Sequence, residues 1–148
     1  MAFVDAEIKV TVSRFNPMVP GRPPEFSVAD FSLTSNNGGV TLANSIFSVD
    51  EKANLIFYFP DGKFAPQNLW FLQSVGSKIQ SDPDGKLNLP NPETFEFGDD
   101  KIPAVQVKDN LKKGFKNAKW KVLIPVKRIS DGAVGVIDPE VTNTNEER

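Results

Sequence analysis

The chain has 148 residues, a formal net charge of −2, and neither cysteine nor histidine. This length predicts one domain that buries a core without covalent staples. The missing residue types exclude disulfides, thiolate metal sites, and catalysis by a cysteine nucleophile or a histidine base. The 12 prolines leave little room for long helices, because an interior proline costs about 3 kcal/mol.

The first residues include Asp5 and Glu7 and no apolar run, which is unlike a secretory signal peptide. No stretch reaches the roughly 18 consecutive apolar residues of a membrane helix. These features predict a soluble, cytoplasmic protein with no membrane partner.

Short apolar segments recur along the chain between turn residues. Alternation of apolar and polar side chains is typical of half-buried strands. Residues 55–59 (LIFYF) are continuously apolar instead, which predicts a central strand covered on both faces. Further strands are predicted at residues 7–14, 25–34, 40–49, 69–75, 87–89, 94–97 and 102–107.

In one predicted strand the apolar residues do not all point to the same face. In residues 25–34, Phe26 and Val28 share one face, whereas Phe31 and Leu33 share the other. A β-bulge inserts one residue and switches the face that follows it. The pattern therefore predicts a bulge at residues 29–30.

Two segments interrupt the strands. Residues 16–24 contain four prolines and a glycine, which predicts a long loop or an extended edge segment, because proline removes a ladder donor. Residues 109–114 (DNLKKG) are the best helical candidate, with Asp109 as the N-cap and Gly114 at the end.

A hairpin is predicted over residues 119–141, with Asp131-Gly132 in its turn. The inward face of its first strand is formed by Trp120, Val122, Ile124 and Val126. The outward face holds Lys119, Lys121, Pro125 and Lys127. The proline and the lysines on this face indicate an edge strand.

Strands at spacings near ten residues are typical of two packed sheets. The fold class predicted is all-β: an antiparallel β-sandwich, immunoglobulin-like or jelly-roll, with eight to ten short strands. We expect one domain over residues 1–141 and a disordered polar tail over 142–148.

The end of this chain also resembles that of a known group of proteins. It combines an aromatic-led alternating strand, the Asp131-Gly132 turn and the sequence Asp138-Pro139-Glu140-Val141. This ending is similar to one in small bacterial β-sandwich proteins of no settled function, over about the last 24 residues. The resemblance implies a sandwich and carries over no active site.

Charge is unevenly distributed along the chain. Residues 101–128 hold nine basic residues and one acidic residue, a net +8, so the rest must carry −10 to reach −2. Such asymmetry predicts a basic face and an acidic face. The candidates for binding a protein partner or another copy are Lys112, Lys113, Lys119, Lys121, Lys127 and Arg128. The competing interpretation is that these side chains pair with carboxylates on neighbouring strands.

Aromatic side chains offer a second kind of site. Tyr58, Phe64 and Trp70 are candidates for a sugar-binding platform, since flat rings stack on the apolar face of a sugar. The competing interpretation is that both faces of these central strands are covered.

Other functions have less support. Nucleic acid is disfavoured by the negative net charge and by the inward parity of Trp120. No cofactor or metal is predicted, although a loose calcium site could draw on aspartates at 82, 84, 99 or 100. An enzyme would depend on a carboxylate pair. The function predicted is non-enzymatic binding or assembly through sheet edges and charged faces, with a lectin-like module and a carboxylate enzyme as alternatives.

Overall fold

A computed structural model describes residues 3–23, 25–36, 38–67, 71–74, 93–109, 111, 116–117 and 119–145. These residues are arranged in two β-sheets, which confirms the all-β prediction. None of them belongs to a helix with the length and apolarity that crossing a membrane requires.

The first sheet has five strands. They are β1 (Val4–Arg14), β2 (Val28–Asn36), β5 (Ala53–Tyr58), β8 (Glu93–Phe97) and β9 (Ile102–Asp109). Their order across the sheet is β2-β1-β5-β9-β8, so β5 is central. Leu55 and Phe57 are fully buried and Ile56 is 7% exposed, as the continuous apolar run predicts.

The second sheet has seven strands. They are β3 (Val40–Ala43), β4 (Ile46–Val49), β6 (Phe64–Pro66), β7 (Phe71–Ser74), β10 (Lys119–Arg128), β11 (Val134–Ile137) and β12 (Glu140–Asn143). The order is β11-β10-β12-β4-β3, and β6 and β7 also pair with β10.

The predicted hairpin is confirmed, and β11 and β12 form one ladder along β10. Ile124 pairs with Ile137 and Lys121 pairs with Glu140, so the register continues unchanged between the two segments. Pro139 interrupts the strand because it has no N–H to donate. Its carbonyl still accepts a hydrogen bond from the Val122 N–H at 2.9 Å.

The prediction that β10 is an edge strand was wrong. β11 and β12 pair with one side of β10, while β6 and β7 pair with the other. The Pro125 carbonyl accepts a hydrogen bond from the Gln67 N–H at 2.8 Å, just after β6 ends. The missing donor of Pro125 therefore falls where pairing passes from β6 to β7, a place where a central strand can accommodate proline.

The prediction of purely antiparallel pairing was also wrong. β1 pairs with β5 in parallel, and β12 pairs with β4 in parallel. Strands that are distant in the chain can meet in either direction, because long connections permit parallel pairing.

The bulge expected at residues 29–30 is absent from the observed pairing. β2 pairs regularly with β1 from Ala29 to Leu33, and the register shifts lie outside that stretch. Phe31 and Leu33 pack against the core. Phe26 and Val28 stay on the opposite parity and are 41% and 43% exposed.

The polar tail begins later than the sequence predicts. β12 extends to Asn143, which is fully buried. The Thr144 N–H then donates to the Val49 carbonyl at 2.9 Å. Pairing with β4 thus orders residues whose composition alone indicates a tail, and residues 146–148 lie outside the described part.

Residues 15–23 and 25–27, which we call the strap, run along the free edge of β11. The Met18 N–H donates to the Val134 carbonyl and the Ser27 N–H donates to the Val136 carbonyl, each at 2.8 Å. The sequence predicts a long loop or an extended edge segment here, and the described residues form a loop that bonds the edge of β11 at two points. It joins the second sheet to β1 and β2 of the first.

Three phenylalanine rings connect the sheets through the core. Phe31 and Phe57 come from the first sheet and Phe47 from the second. Their centroids lie 5.7 to 6.1 Å apart in edge-to-face arrangements. Such pairs add about 0.5–1.5 kcal/mol each beyond the area that they bury.

Gly135 is where the strap lies closest to β11. A Cβ atom there would lie 2.8 Å from the Phe15 ring, 2.8 Å from the Ser27 hydroxyl and 2.9 Å from the Asn16 carbonyl. We expect Gly135→Ala to lower the free energy of unfolding by about 1–3 kcal/mol, the usual cost of overpacking. Urea unfolding measures this.

Gly132→Ala is the matched control. An added Cβ at Gly132 meets nothing within 4 Å, although φ there is +75°. We expect this variant to lose less free energy of unfolding, about 1 kcal/mol, because only the backbone conformation disfavours a side chain there. Equal losses in the two variants would contradict close packing of the strap on β11.

Candidate binding groove at a strand edge

The described basic candidates are partly neutralised by local pairing. The Lys121 ammonium lies 3.3 Å from a carboxylate oxygen of Asp138. The Arg128 guanidinium donates to both carboxylate oxygens of Asp131, at 3.0 and 2.6 Å. Lys119 and Lys127 are exposed, and Lys112 and Lys113 lie outside the described residues.

These cations do not form one continuous patch along β10. Lys121 and Lys127 are six residues apart, a span of roughly 20 Å in an extended strand. Leu123 and Pro125 are buried between them on the same face. The described basic candidates are therefore divided between the two ends of β10.

The sugar-binding candidates are not brought together. Tyr58 is on the outer face of the first sheet, where its ring stacks on Phe97 at 4.8 Å and its hydroxyl lies 2.9 Å from the Thr34 hydroxyl. Phe64 is in the second sheet and only 8% exposed, with its ring 5.1 Å from that of Phe15. Trp70 lies outside the described residues.

An exposed ring outside these candidates lies beside Tyr58 and Phe97. Phe95 is 37% exposed and lies 6.5 Å from Phe97, so that Tyr58, Phe97 and Phe95 form a strip on one sheet face. The alternation of residues 94–97 (TFEF) already places both phenylalanines on one face, and this was the signal available.

The structure describes two of the four aspartates considered for calcium. Asp99 and Asp100 are exposed in the turn between β8 and β9, and positions 82 and 84 lie outside the described residues.

A groove opens where the outer edge of the β11–β12 strand changes partners. The strap bonds this edge as far as Val136, and β4 begins to pair with it at Glu140. Asp138 falls between the two. The groove is about 410 Å³ in volume, and the residues that line it come from the strap, β2, the β3–β4 turn and the hairpin.

The backbone of Asp138 faces this groove. Pro139 directs its carbonyl toward β10, whereas Val134 and Val136 direct theirs outward to the strap. Because successive strand residues alternate in direction, the N–H and C=O of Asp138 point outward as well. Among the described residues, none of the strap or of β4 bonds this N–H and C=O, which we call the outward rung of Asp138.

The walls of the groove combine apolar and charged groups. Phe26 and Val28 form an exposed apolar rim on one side. The carboxylates of Asp138 and Glu140, both half-buried, lie with Lys121 at the hairpin. Two carboxylates and one ammonium leave a local charge of −1.

On the opposite rim, Asn44 and Ser45 form the turn between β3 and β4, with φ of 52° and 63°. Two successive residues in this conformation are typical of a type I′ hairpin turn, which fixes the rim tightly. The site therefore offers a backbone donor and acceptor, an apolar wall and an excess of negative charge.

A buried carboxyl lies at one end of the molecule. Asp109 ends β9 with no exposed surface, and its carboxylate accepts a hydrogen bond from the Leu111 N–H at 3.0 Å. Burial raises the pKa of this carboxyl to about 7, and hydrogen bonds from Leu111 and Asn143 offset part of the rise. The side chain thus makes a local turn at the strand end, and most of the predicted helix at 109–114 lies outside the described residues.

This carboxyl gives the fold a specific pH dependence. The folded pKa of about 7 lies above the ordinary value of 3.8, so the contribution of Asp109 to stability falls as pH rises from about 4 to about 7. Asp109→Asn keeps the shape and the acceptor without the charge. We expect its free energy of unfolding to rise relative to that of wild type across that window, by up to roughly 4 kcal/mol.

Asp131→Asn is the control with the opposite sign. Hydrogen bonds from Arg128 hold the pKa of Asp131 at about 2, so its stabilisation is present above about pH 4 and is lost as pH falls toward 2. The deficit of this variant should shrink at low pH in the same urea titrations. A difference between Asp109→Asn and wild type that stays constant with pH would contradict burial of the carboxyl.

Comparison with known proteins adds no family to this geometry. No protein-family model matches the chain, and a search of curated proteins also found no match. The resemblance of residues 119–141 to bacterial β-sandwich proteins therefore stays a prediction.

Proposed function

We propose that this chain is a non-enzymatic binding or assembly protein that acts through its sheet edges and charged faces, with the groove at Asp138 as the main site. The observation that carries the proposal is the outward rung of Asp138, which neither neighbouring partner bonds. Open strand edges readily accept another chain, and most native edges are blocked.

The apolar rim supports the same proposal. Phe26 and Val28 are exposed at 41% and 43%, next to that rung. Apolar side chains bordered by polar groups are typical of interaction sites. Their burial by a partner is worth about 25 cal/mol for each Å² removed from water, before the costs of association.

Catalysis has less support from the described carboxylates. The one whose pKa is strongly raised, Asp109, has no exposed surface and so no route to a substrate. Asp138 is paired with Lys121 in an open groove. An enzyme with a carboxylate site remains the alternative with no observation in its favour.

The finer assignment of the fold belongs to this proposal as well. We infer that the two sheets form a sandwich related to the immunoglobulin-like or jelly-roll type, with mixed pairing as a departure from either. The cytoplasmic location predicted from the sequence is part of the same proposal.

Photo-crosslinking tests the groove directly. A benzoylphenylalanine placed at Phe26 should attach covalently to a second copy or to another protein when the full chain is expressed in cells. Phe95 is the matched control position, because its exposure of 37% is close to the 41% of Phe26. We expect adducts from position 26 that are at least several-fold more abundant than those from position 95.

Adding Asp138→Lys to the labelled chain should reduce the adducts from position 26, because a new ammonium would reverse the charge at the rung. Equal adducts from both positions, or none from position 26, would refute a binding role for the groove.

A lectin-like module is the second candidate. The observation in its favour is the outward strip of Tyr58, Phe97 and Phe95. A ring of this kind can stack on a sugar while nearby polar groups bond its hydroxyls.

A glycan array tests this candidate. If the strip binds sugar, Phe95→Ala should weaken the array signal at least about fivefold, since ring stacking is worth about 1 kcal/mol or more. Phe26→Ala should leave the signal unchanged. An array without signal, with and without calcium, would remove the candidate.

A further inference from the structure

We propose that the groove binds an extended segment of a partner protein, in which an aliphatic or aromatic side chain lies two residues from a lysine or arginine. The inference rests on the proposed function and gives its site a specific occupant. It follows from three properties of the groove: its backbone rung, its charge and its apolar rim.

The unbonded backbone N–H and C=O of Asp138 favour an extended chain as the ligand. Met18 and Ser27 of the strap already bond the two preceding outward rungs of this edge, at Val134 and Val136. A short extended segment entering between the strap and β4 would use the rung of Asp138 in the same way. Addition of a peptide to a strand edge gains affinity from such main-chain hydrogen bonds.

The net negative charge of the groove favours a cationic side chain on the ligand. Asp138 and Glu140 face a single ammonium, that of Lys121, which lies 3.3 Å from Asp138. The Asp138 and Lys121 side chains are 26% and 34% exposed, so the pair is open to a third charged group. A lysine or arginine on the ligand would balance the second carboxylate, and an acidic ligand would be repelled.

The apolar rim favours a ligand with an apolar side chain close to its cation in sequence. Phe26 and Val28 are two residues apart on the strap side, and Asp138 and Glu140 are two residues apart on the hairpin. In an extended ligand, side chains at i and i+2 also project to one face. Residues i and i+2 are the nearest pair on one face of an extended ligand, so we place the apolar side chain and the cation at this separation.

The size of the groove favours a short segment. Its volume of about 410 Å³ lies in the range of roughly 300–1,000 Å³ that is typical of pockets for small ligands. Such a space admits a few side chains of an extended chain, whereas the surface of a folded domain would contact only the rim.

Selection from a displayed library of random linear peptides on the purified full chain tests the inference. We expect enriched peptides to share an apolar residue two positions from lysine or arginine. Asp138→Asn with Glu140→Gln keeps the shape of the groove and removes its charge. This variant should bind the selected peptides about fivefold more weakly at low salt, because it removes the charge pair with the ligand cation and leaves the Lys121 ammonium to repel that cation.

Phe26→Ser with Val28→Ser should weaken binding to a similar degree. Phe95→Ser with Glu96→Gln is the matched control, because it removes an exposed ring and a carboxylate from the far edge strand β8 and should leave affinity unchanged. Thermal melting of each variant confirms that it is folded.

The outcomes separate this inference from the proposed function. Selected peptides without a basic residue, or peptides whose binding ignores the groove variants, would overturn the inference. An empty selection would also overturn it, and the proposed function would stand if crosslinking from position 26 still succeeded. Failure of both experiments would remove both.

Discussion

The antiparallel pairing of β10 with residues 134–143 is the interaction on which the rest of the structure depends. Every other strand of the second sheet connects to it: β6 and β7 bond the far side of β10, and β4 joins through β12. The strap joins through β11, and it links this sheet to the first. The inward side chains of β10 also belong to the core that both sheets bury, namely Trp120, Val122, Ile124 and Val126.

The groove is a consequence of that pairing. One long strand edge receives two different partners, the strap from one direction and β4 from the other. They meet this edge at Val136 and Glu140, so a single outward residue is left between them. Pro139 lies next to this residue and has no N–H to donate, so β10 holds the chain there only through the Pro139 carbonyl. The same geometry that completes the sheet therefore creates its open site.

Sequence alternation predicts burial well and pairing poorly. It identified the hairpin, the inward face of β10 and the central strand at 55–59, because the period of two reports which face is buried. It gave no information on strand direction, so the parallel pairs of β1 with β5 and β12 with β4 could not be predicted. Pro125 led to the wrong prediction that β10 is an edge strand, because only the three-dimensional arrangement shows that its missing donor lies between β6 and β7.

The site was the least predictable part. The parity conflict between Phe26 and Phe31 was visible in the sequence, and we resolved it with a bulge that would bury both rings. In the structure Phe31 packs on the core, whereas Phe26 is left exposed at the groove. The carboxylates of Asp138 and Glu140 were part of a strand signature, and their place beside the strap depends on contacts more than 100 residues away in the chain.

Residue-resolved hydrogen exchange measures whether the backbone amide of Asp138 is unbonded at the groove. The amide of Asp138 faces the groove without a partner from the strap or β4, whereas the amides of Ile137 and Val141 face β10. Exchange at Asp138 should approach the rate of an unstructured peptide, while Ile137 and Val141 exchange only through opening of the sheet. Protection of Asp138 equal to that of its two neighbours would show that the rung is bonded and that the groove is closed.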